Sequence, residues 1–216
     1  MNLLAGSLQL RPYVFVFLIV FVAAGVRDLG WRRTMVFFFW VWPVALFGEL
    51  SSTRTGIPFG LYHYTGATRG QELFIADVPF FDSLSFTFLA YASFCLARVV
   101  ASSRFLLAAA SGVLMMLLDV VIDPLAVRGD RWFLGRIFWY PHGGVYFGVP
   151  LSNFLGWLIV GAVGVGGYLL LVRGDALGRH ASPGIGLYYG VLVFNLAVTA
   201  WIGEWQIGRA SCRERV

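Results

Sequence analysis

The stretch Phe105–Pro124, FLLAAASGVLMMLLDVVIDP, decides the fold. Its apolar length matches the roughly 20 residues that an α-helix needs to cross the hydrocarbon of a bilayer. Asp119 and Asp123 are four residues apart, so they share one helix face about 6 Å apart along the axis. Proline disfavours helix at the preceding residue, so we predict that the helix stops at Asp123. Two carboxyl groups therefore end a spanning helix, where water and an apolar molecule can both reach them.

The whole chain has the composition of a membrane protein. It has 216 residues, of which 59% are hydrophobic and 12% are charged, against about 25% charged in typical soluble domains. We predict an all-α fold, a polytopic transmembrane helical bundle of about six spans, with a seventh in a longer chain. The predicted spans are Leu10–Val26, Thr34–Leu50, Ser83–Val100, Phe105–Ile122, Val149–Val172 and Gly184–Gly203.

The spans form one transmembrane helical domain over residues 1–206. Residues 207–216 break sharply in composition, and we expect them to be a non-native tail. The expected location is an integral position in a membrane, the bacterial cytoplasmic membrane.

The basic residues point to a lipid bilayer as partner and not to a nucleic acid. All sixteen are Arg, scattered through loops and span ends without forming a basic stripe. Arginine side chains at membrane boundaries set the orientation of the spans and bind lipid head groups. The short loops carry seven Arg and the opposite side six, or nine with the tail, so the Arg count barely decides the orientation. The compactness of the short loops favours placing them in the cytoplasm, with the N-terminus outside. Cys95 and Cys212 form no CxxC motif, so we expect neither a disulfide nor a cysteine metal site.

Polar residues gather on the other side of the membrane, where the long loops lie. The alternation of spans places there Glu49, His63, Tyr64, Asp77, Asp82, Asp119, Asp123, His142, Tyr146, Asn153 and Glu204. Such one-sided clustering predicts an active site between helices at this face. The alternative is that the acids pair with Arg54, Arg128, Arg131 and Arg136 and only hold the loops. For Asp77, which precedes Val-Pro, we favour that structural role.

Several kinds of site are excluded or disfavoured. Three histidines are too few for the diiron centres of membrane desaturases, and GxSxG and Walker A motifs are absent from the sequence. A zinc or iron site built from His63, His142 and a carboxylate remains a minor alternative. The glycine-rich run Gly161–Gly167 predicts close helix packing. The aromatic residues of the second long loop fit an interfacial belt slightly better than a pocket for an apolar ligand: Trp132, Phe133, Trp139, Tyr140 and Tyr146.

Three segments carry a resemblance to a known family. They are ELSSTRTGIPFGLYHYT (Glu49–Thr65), LDVVIDPLAV (Leu118–Val127) and GVYFGVPLSNFLGWLIVG (Gly144–Gly161). Over about half its length the chain resembles the carotenoid biosynthesis membrane proteins that contain carotenoid hydratases of the bisanhydrobacterioruberin and γ-carotene type. The resemblance implies acid-catalysed addition of water to a terminal ψ-end double bond of an acyclic or monocyclic carotenoid, giving a tertiary alcohol. It implies a carotenoid substrate, no cofactor, no metal, and other carotenoid-pathway enzymes as partners.

This chemistry suggests roles for the polar residues. Protonation of an alkene needs a carboxylic acid in its protonated form, which burial and a neighbouring acid both favour. We expect Asp119 or Asp123 to donate the proton. Glu49 would activate water as a general base or stabilise the cation. The residues expected to orient water or substrate are His63, Tyr64, Asn153, Tyr146 and His142.

Three rival functions stay open at this point. A carotenoid cyclase of the lycopene type shares the protonation step but quenches the cation by ring closure. A non-enzymatic protein would bind the polyene between helices. A proton-coupled transporter fits less well, because the acids gather at one side and form no path across the membrane.

Overall fold

The computed structural model of the protein describes residues 2–172 and 177–207. Within them lie the α-helices α1 (Leu3–Leu10), α2 (Pro12–Leu29), α3 (Trp31–Thr55), α4 (Phe80–Ala97), α5 (Arg104–Ala126), α6 (Leu151–Leu171) and α7 (Ser182–Trp201). The helices α2 to α7 are long and apolar enough to cross a membrane. The predicted all-α bundle of six spans is thereby confirmed, and the chain is an integral membrane protein. Cys212 and most of the expected tail, 208–216, lie outside the described residues.

The first span differs from its prediction at the N-terminal end. Residues that the sequence pattern left outside the spans form the separate short helix α1. Arg11 lies between α1 and α2 in a non-helical conformation, and Pro12 begins α2. Proline is favoured at a first helical position, where its missing N–H is not needed and its fixed φ suits the helix.

The prediction that Pro124 stops the fourth span is wrong. Helix α5 runs through Pro124 to Ala126. Proline removes a single backbone donor, and the turn continues because Val127 N donates to Asp123 O at 2.9 Å. The helix end is instead capped by Arg128, whose Nη1 donates to Pro124 O and to Phe147 O, both at 2.9 Å.

Helix α4 lies at the centre of the bundle. In its apolar window 78% of the residues are buried, against 28–44% in the other spans. It packs against α2, α3, α5 and α7. Its small residues suit this position, because they let neighbouring helices approach closely: Ser83, Thr87, Ala90, Ala92 and Ser93 are all buried. The hydroxyls of Ser83 and Thr87 donate to backbone oxygens of the same helix.

Helices α5 and α6 cross at a glycine contact, which confirms the close packing predicted from the glycine-rich run. A Cβ on Gly161 would lie 3.0 Å from Gly112 Cα, and a Cβ on Gly112 would lie 2.4 Å from Leu158 O. A side chain at Gly112 thus meets backbone, which cannot move aside without separating the two helices.

We expect Gly112→Val to destabilise the bundle strongly. Overpacking of a tight contact costs about 1–3 kcal/mol, and here the obstacle is a rigid helix backbone. Thermal unfolding in detergent, followed by loss of the monodisperse species, measures the effect. Gly190→Val on α7 is the matched control, since a Cβ there meets nothing within 4 Å. Equal melting temperatures for the two variants would contradict the proposed crossing.

The two long loops are joined above the helix ends by a short antiparallel pair. Strand β1 (His63–Tyr64) pairs with β4 (Phe138–Trp139), so that His63 lies opposite Trp139 and Tyr64 opposite Phe138. Strands β2 (Phe74–Ile75) and β3 (Val78–Pro79) form a second pair within the first loop. The sequence did not predict these pairs, because strands of two residues leave no readable periodicity.

A buried ion pair fastens the first long loop to the N-terminal helices. Arg11 Nη2 lies 2.9 Å from Glu72 Oε1, and the two side chains are 5% and 0% exposed. Arg11 Nε donates to Glu72 Oε2 at 3.2 Å, which makes the pair bidentate. Leu73 N donates to Ser7 Oγ at 3.1 Å on α1. The loop that carries β1 therefore has a fixed position over the helix ends.

Candidate active site

A cavity of about 110 Å³ lies beneath the paired loops, among the ends of α2 to α7. Its wall is largely aromatic, with rings that include Phe59, Phe86, Phe138 and Trp157. Phe86 and Trp157 stack with ring centroids 4.2 Å apart and planes 9° apart. The carboxyl groups of Glu49, Asp82 and Asp123 also line it. A space of this size holds several water molecules or the end of an apolar chain.

The β1–β4 pairing decides which loop side chains reach this cavity. Side chains alternate between the two faces of a strand. Tyr62, Tyr64, Phe138 and Tyr140 accordingly line the cavity. His63 faces outward and is exposed. Tyr64 is therefore in the site, and the neighbouring histidine is not.

Tyr64 joins two carboxyl groups, Glu49 at the end of α3 and Asp82 at the start of α4. Its Oη lies 2.9 Å from Glu49 Oε1 and 3.0 Å from Asp82 Oδ2. A phenol has one proton and can donate to only one of these oxygens. The other contact is a hydrogen bond when that carboxyl is protonated and donates to Tyr64 Oη. We call this group the Glu49–Asp82 pair, and hydrogen-bond counting assigns one carboxyl proton to it.

Asp119 and Asp123 form the second carboxyl pair, one helical turn apart on α5 as predicted. Asn153 Nδ2 donates to Asp119 Oδ2 at 2.6 Å, and Tyr140 Oη donates to Asp123 Oδ2 at 3.0 Å. Asp119 Oδ1 is buried and has no hydrogen-bond partner among the described residues. Two buried carboxyls so close together resist ionising at the same time, so we expect one of them to be protonated. Asp123 lines the cavity, whereas Asp119 lies fully buried behind it.

Among the described residues, the four carboxyls form no ion pair with Arg54, Arg128, Arg131 or Arg136, the partners that the structural alternative requires. That alternative does describe Asp77, which pairs with Arg54 at 3.1 Å, and Glu204, which pairs with Arg128 at 3.4 Å. Within the described residues, however, no salt bridge reaches either carboxyl pair. Glu49 Oε2 is buried and accepts no hydrogen bond from a described residue. Buried polar groups of this kind usually have a bound partner.

The loop tyrosines remain hydrogen-bond donors over a wide pH range. Burial raises the pKa of Tyr62, Tyr64 and Tyr140 well above the ordinary value of 10. Nearby carboxyls raise these pKa values further, because a phenolate beside them would add negative charge. At neutral pH the cavity is therefore edged by three neutral phenols.

The residues predicted from the sequence divide into two groups. Glu49, Tyr64, Asp123 and Asn153 line the cavity, and Asp119 contacts two of them from behind. His63 and His142 are exposed. Tyr146 packs edge-on against Phe154, with ring centroids 5.5 Å apart, outside the cavity wall.

Sequence reasoning missed four residues that line the cavity. Asp82 belonged to the one-sided cluster but was not chosen, and Tyr62 was not considered. Tyr62 lies two residues before Tyr64, and alternate residues of an extended segment face the same side, so the choice of Tyr64 could have led to Tyr62. Tyr140 and Trp132, for which an interfacial belt was favoured, line the cavity instead.

The minor alternative of a metal site built on His63 and His142 gains no support. In the part of the chain that the structure describes, no group of three His, Cys, Asp or Glu side chains is placed to hold a metal ion.

The chain resembles known proteins over most of its length. A family model described as carotenoid biosynthesis protein matches residues 11–208. The bisanhydrobacterioruberin hydratase of Haloarcula japonica is 32% identical over 176 residues, which cover 76% of this chain and 56% of that protein. The chain thus spans little more than half the length of this relative. No solved structure is significantly similar to the chain.

Proposed function

The chain belongs to the carotenoid biosynthesis protein family, and from this premise we propose that it is a carotenoid hydratase. The reaction would add water to a terminal ψ-end double bond of an acyclic or monocyclic carotenoid. One observation carries the proposal: two pairs of buried carboxyl groups meet at an aromatic cavity among the helix ends. The polyene is dissolved in lipid, so the reaction takes place in the membrane, which we propose to be a bacterial cytoplasmic membrane.

Asp123 is the proton donor in this proposal, because it is the member of its pair that lines the cavity. The π electrons of the terminal double bond take the carboxyl proton at the less substituted carbon. The other carbon becomes a tertiary cation. Asp119 is a positioning residue, since it lies behind Asp123, shares its proton and is itself oriented by Asn153.

Glu49 receives the proton that water loses. A water oxygen forms the new bond to the tertiary carbon, and one of its protons passes to the carboxylate of the Glu49–Asp82 pair. The buried Oε2 of Glu49, which has no partner among the described residues, is the oxygen available for this water. One water is consumed, and a tertiary alcohol is formed without a change of oxidation state in the protein.

The aromatic wall stabilises the cation between these two steps. A cation over an aromatic face gains about 0.5–2 kcal/mol, and Phe59, Phe86 and Trp157 are packed together in the wall. The same wall would serve a cyclase, in which ring closure and loss of a proton replace attack by water. Product mass distinguishes the two reactions.

A product assay tests the proposal. We expect the chain, expressed in a lycopene-accumulating bacterium, to give pigments heavier by one or two waters on mass spectrometry. Asp77→Asn is the control variant and should leave the products unchanged, because Asp77 lies in a surface ion pair. A product of unchanged mass would identify a cyclase. Unaltered pigment from both lycopene and γ-carotene, under conditions in which a related hydratase converts them, would contradict an enzymatic role.

A further inference from the structure

The proposed reaction changes the number of protons on each carboxyl pair at every turnover. The Asp119–Asp123 pair has given a proton to carbon, and the Glu49–Asp82 pair has taken one from water. The next turnover requires that one proton return across the cavity. The residues that lie between the two pairs are therefore the candidates for carrying this proton.

We propose that Tyr64, Tyr62 and Tyr140 form a relay that returns this proton from the Glu49–Asp82 pair to Asp123. The inference rests on the proposed function and adds a role for Tyr62 and Tyr140. Each phenol accepts a proton on its oxygen while releasing its own to the next group, so the chain moves one proton and ends unchanged.

The two ends of the relay are hydrogen-bonded to the carboxyls. Tyr64 Oη contacts Glu49 and Asp82 at 2.9 and 3.0 Å. Tyr140 Oη contacts Asp123 Oδ2 at 3.0 Å. A proton on the Glu49–Asp82 pair thus starts in direct contact with the first phenol, and the last phenol ends on the acid that needs it.

Tyr62 occupies the gap between these ends. Its side chain is 6% exposed, and its ring packs against those of the other two tyrosines. Its ring centroid lies 5.4 Å from that of Tyr64 and 5.9 Å from that of Tyr140. Tyr62 lines the water-sized cavity together with both neighbours, so the step to Tyr140 runs along the cavity wall.

The fold gives this arrangement a specific origin. Tyr62 and Tyr64 belong to the loop before α4, and Tyr140 to the loop after α5. The β1–β4 pairing brings these loops together and turns alternate residues inward. A face that carries three phenols, all neutral at working pH, is suited to pass protons and holds no charge of its own.

Tyr62→Phe tests the relay, because Tyr62 forms no hydrogen bond to either carboxyl pair among the described contacts. The full chain in lipid vesicles is supplied with lycopene or γ-carotene, first with enzyme in excess and then with carotenoid in excess. We expect the first turnover of the variant to stay within about twofold of wild type. Later turnovers should slow by about tenfold or more, so that one product per enzyme appears as a burst. Tyr189→Phe, an exposed phenol on α7, should show no burst.

The outcomes separate the relay from the proposed function. Wild-type enzyme that adds no water contradicts the function itself. Wild-type hydration with equal losses in both phases of Tyr62→Phe, or with no loss in either, overturns the relay and leaves Tyr62 as part of the wall. If Tyr62→Phe does not fold, Tyr140→Phe serves instead; its later turnovers should fall further than its first, and equal losses would again overturn the relay.

Discussion

Asp123→Asn should reduce hydration by about 10²- to 10⁴-fold, the usual range for loss of a general acid. The amide keeps the size of the side chain and can still accept the hydrogen bond from Tyr140, but it cannot give a proton to the alkene. The cavity geometry should survive, so carotenoid binding is expected to change little. Pigment analysis by mass spectrometry, at matched protein levels, measures the loss.

Asp119→Asn provides the informative comparison for the acid. Asp119 does not line the cavity and acts through Asp123, so its loss should be smaller and should shift the pH profile of the rate. If Asp119→Asn were inactive and Asp123→Asn retained full activity, the assigned roles within the pair would be reversed. If the double variant retained activity, the pair would not be the acid at all.

Glu72→Gln should destabilise the protein by about 3–5 kcal/mol, the usual cost of removing one partner from a buried ion pair. Arg11 would remain 5% exposed with its charge uncompensated, and the first long loop would lose its attachment to the N-terminal helices. Because that loop carries β1, we expect activity to fall along with stability. Unfolding in detergent, followed by intrinsic tryptophan fluorescence, measures the free-energy change.

Asp77→Asn is the matched control for this ion pair. It breaks the Arg54–Asp77 pair, whose side chains are 55% and 35% exposed, and such pairs contribute only about 0–1 kcal/mol. The double variant Arg11→Met/Glu72→Met should recover much of the lost stability, since it leaves no buried charge unpaired. A Glu72→Gln protein as stable as Asp77→Asn would show that the buried pair does not anchor the loop.

The spans and the side of the site were predictable because bilayer physics acts on long segments. Apolar runs of fixed length, alternating in direction, place every span end on one of two faces. Glu49 and Asp119 are 70 residues apart in the chain, yet their shared face follows from counting spans. The spacing of Asp119 and Asp123 fixed their pairing by helix geometry alone.

The composition of the site depended on contacts that no periodic pattern encodes. The sequence favours His63 as a site residue over the adjacent Tyr62, but the β1–β4 pairing turns Tyr62 inward and His63 outward. The partner strand lies 75 residues further along the chain, so its register depends on tertiary contacts and cannot be predicted from the local sequence. The prediction from Pro124 failed for a related reason. Arg128 donates a hydrogen bond to Pro124 O at the helix end and a second one to Phe147 O in the following loop, and the second is a tertiary contact.

Because the cavity lies at one face of the bundle, the two ends of a carotenoid would be hydrated one after the other in the proposed reaction. A polyene long enough to span a bilayer places its two ends at opposite faces, and only one end at a time can reach carboxyls that lie at a single set of helix ends. Once that end carries a hydroxyl group, the head-group region holds it in place, since a polar group is costly in hydrocarbon. A second hydration then requires the product to leave and turn over in the membrane. Singly hydrated carotenoid should therefore accumulate before the doubly hydrated form, at a ratio set by lipid dynamics as much as by the enzyme.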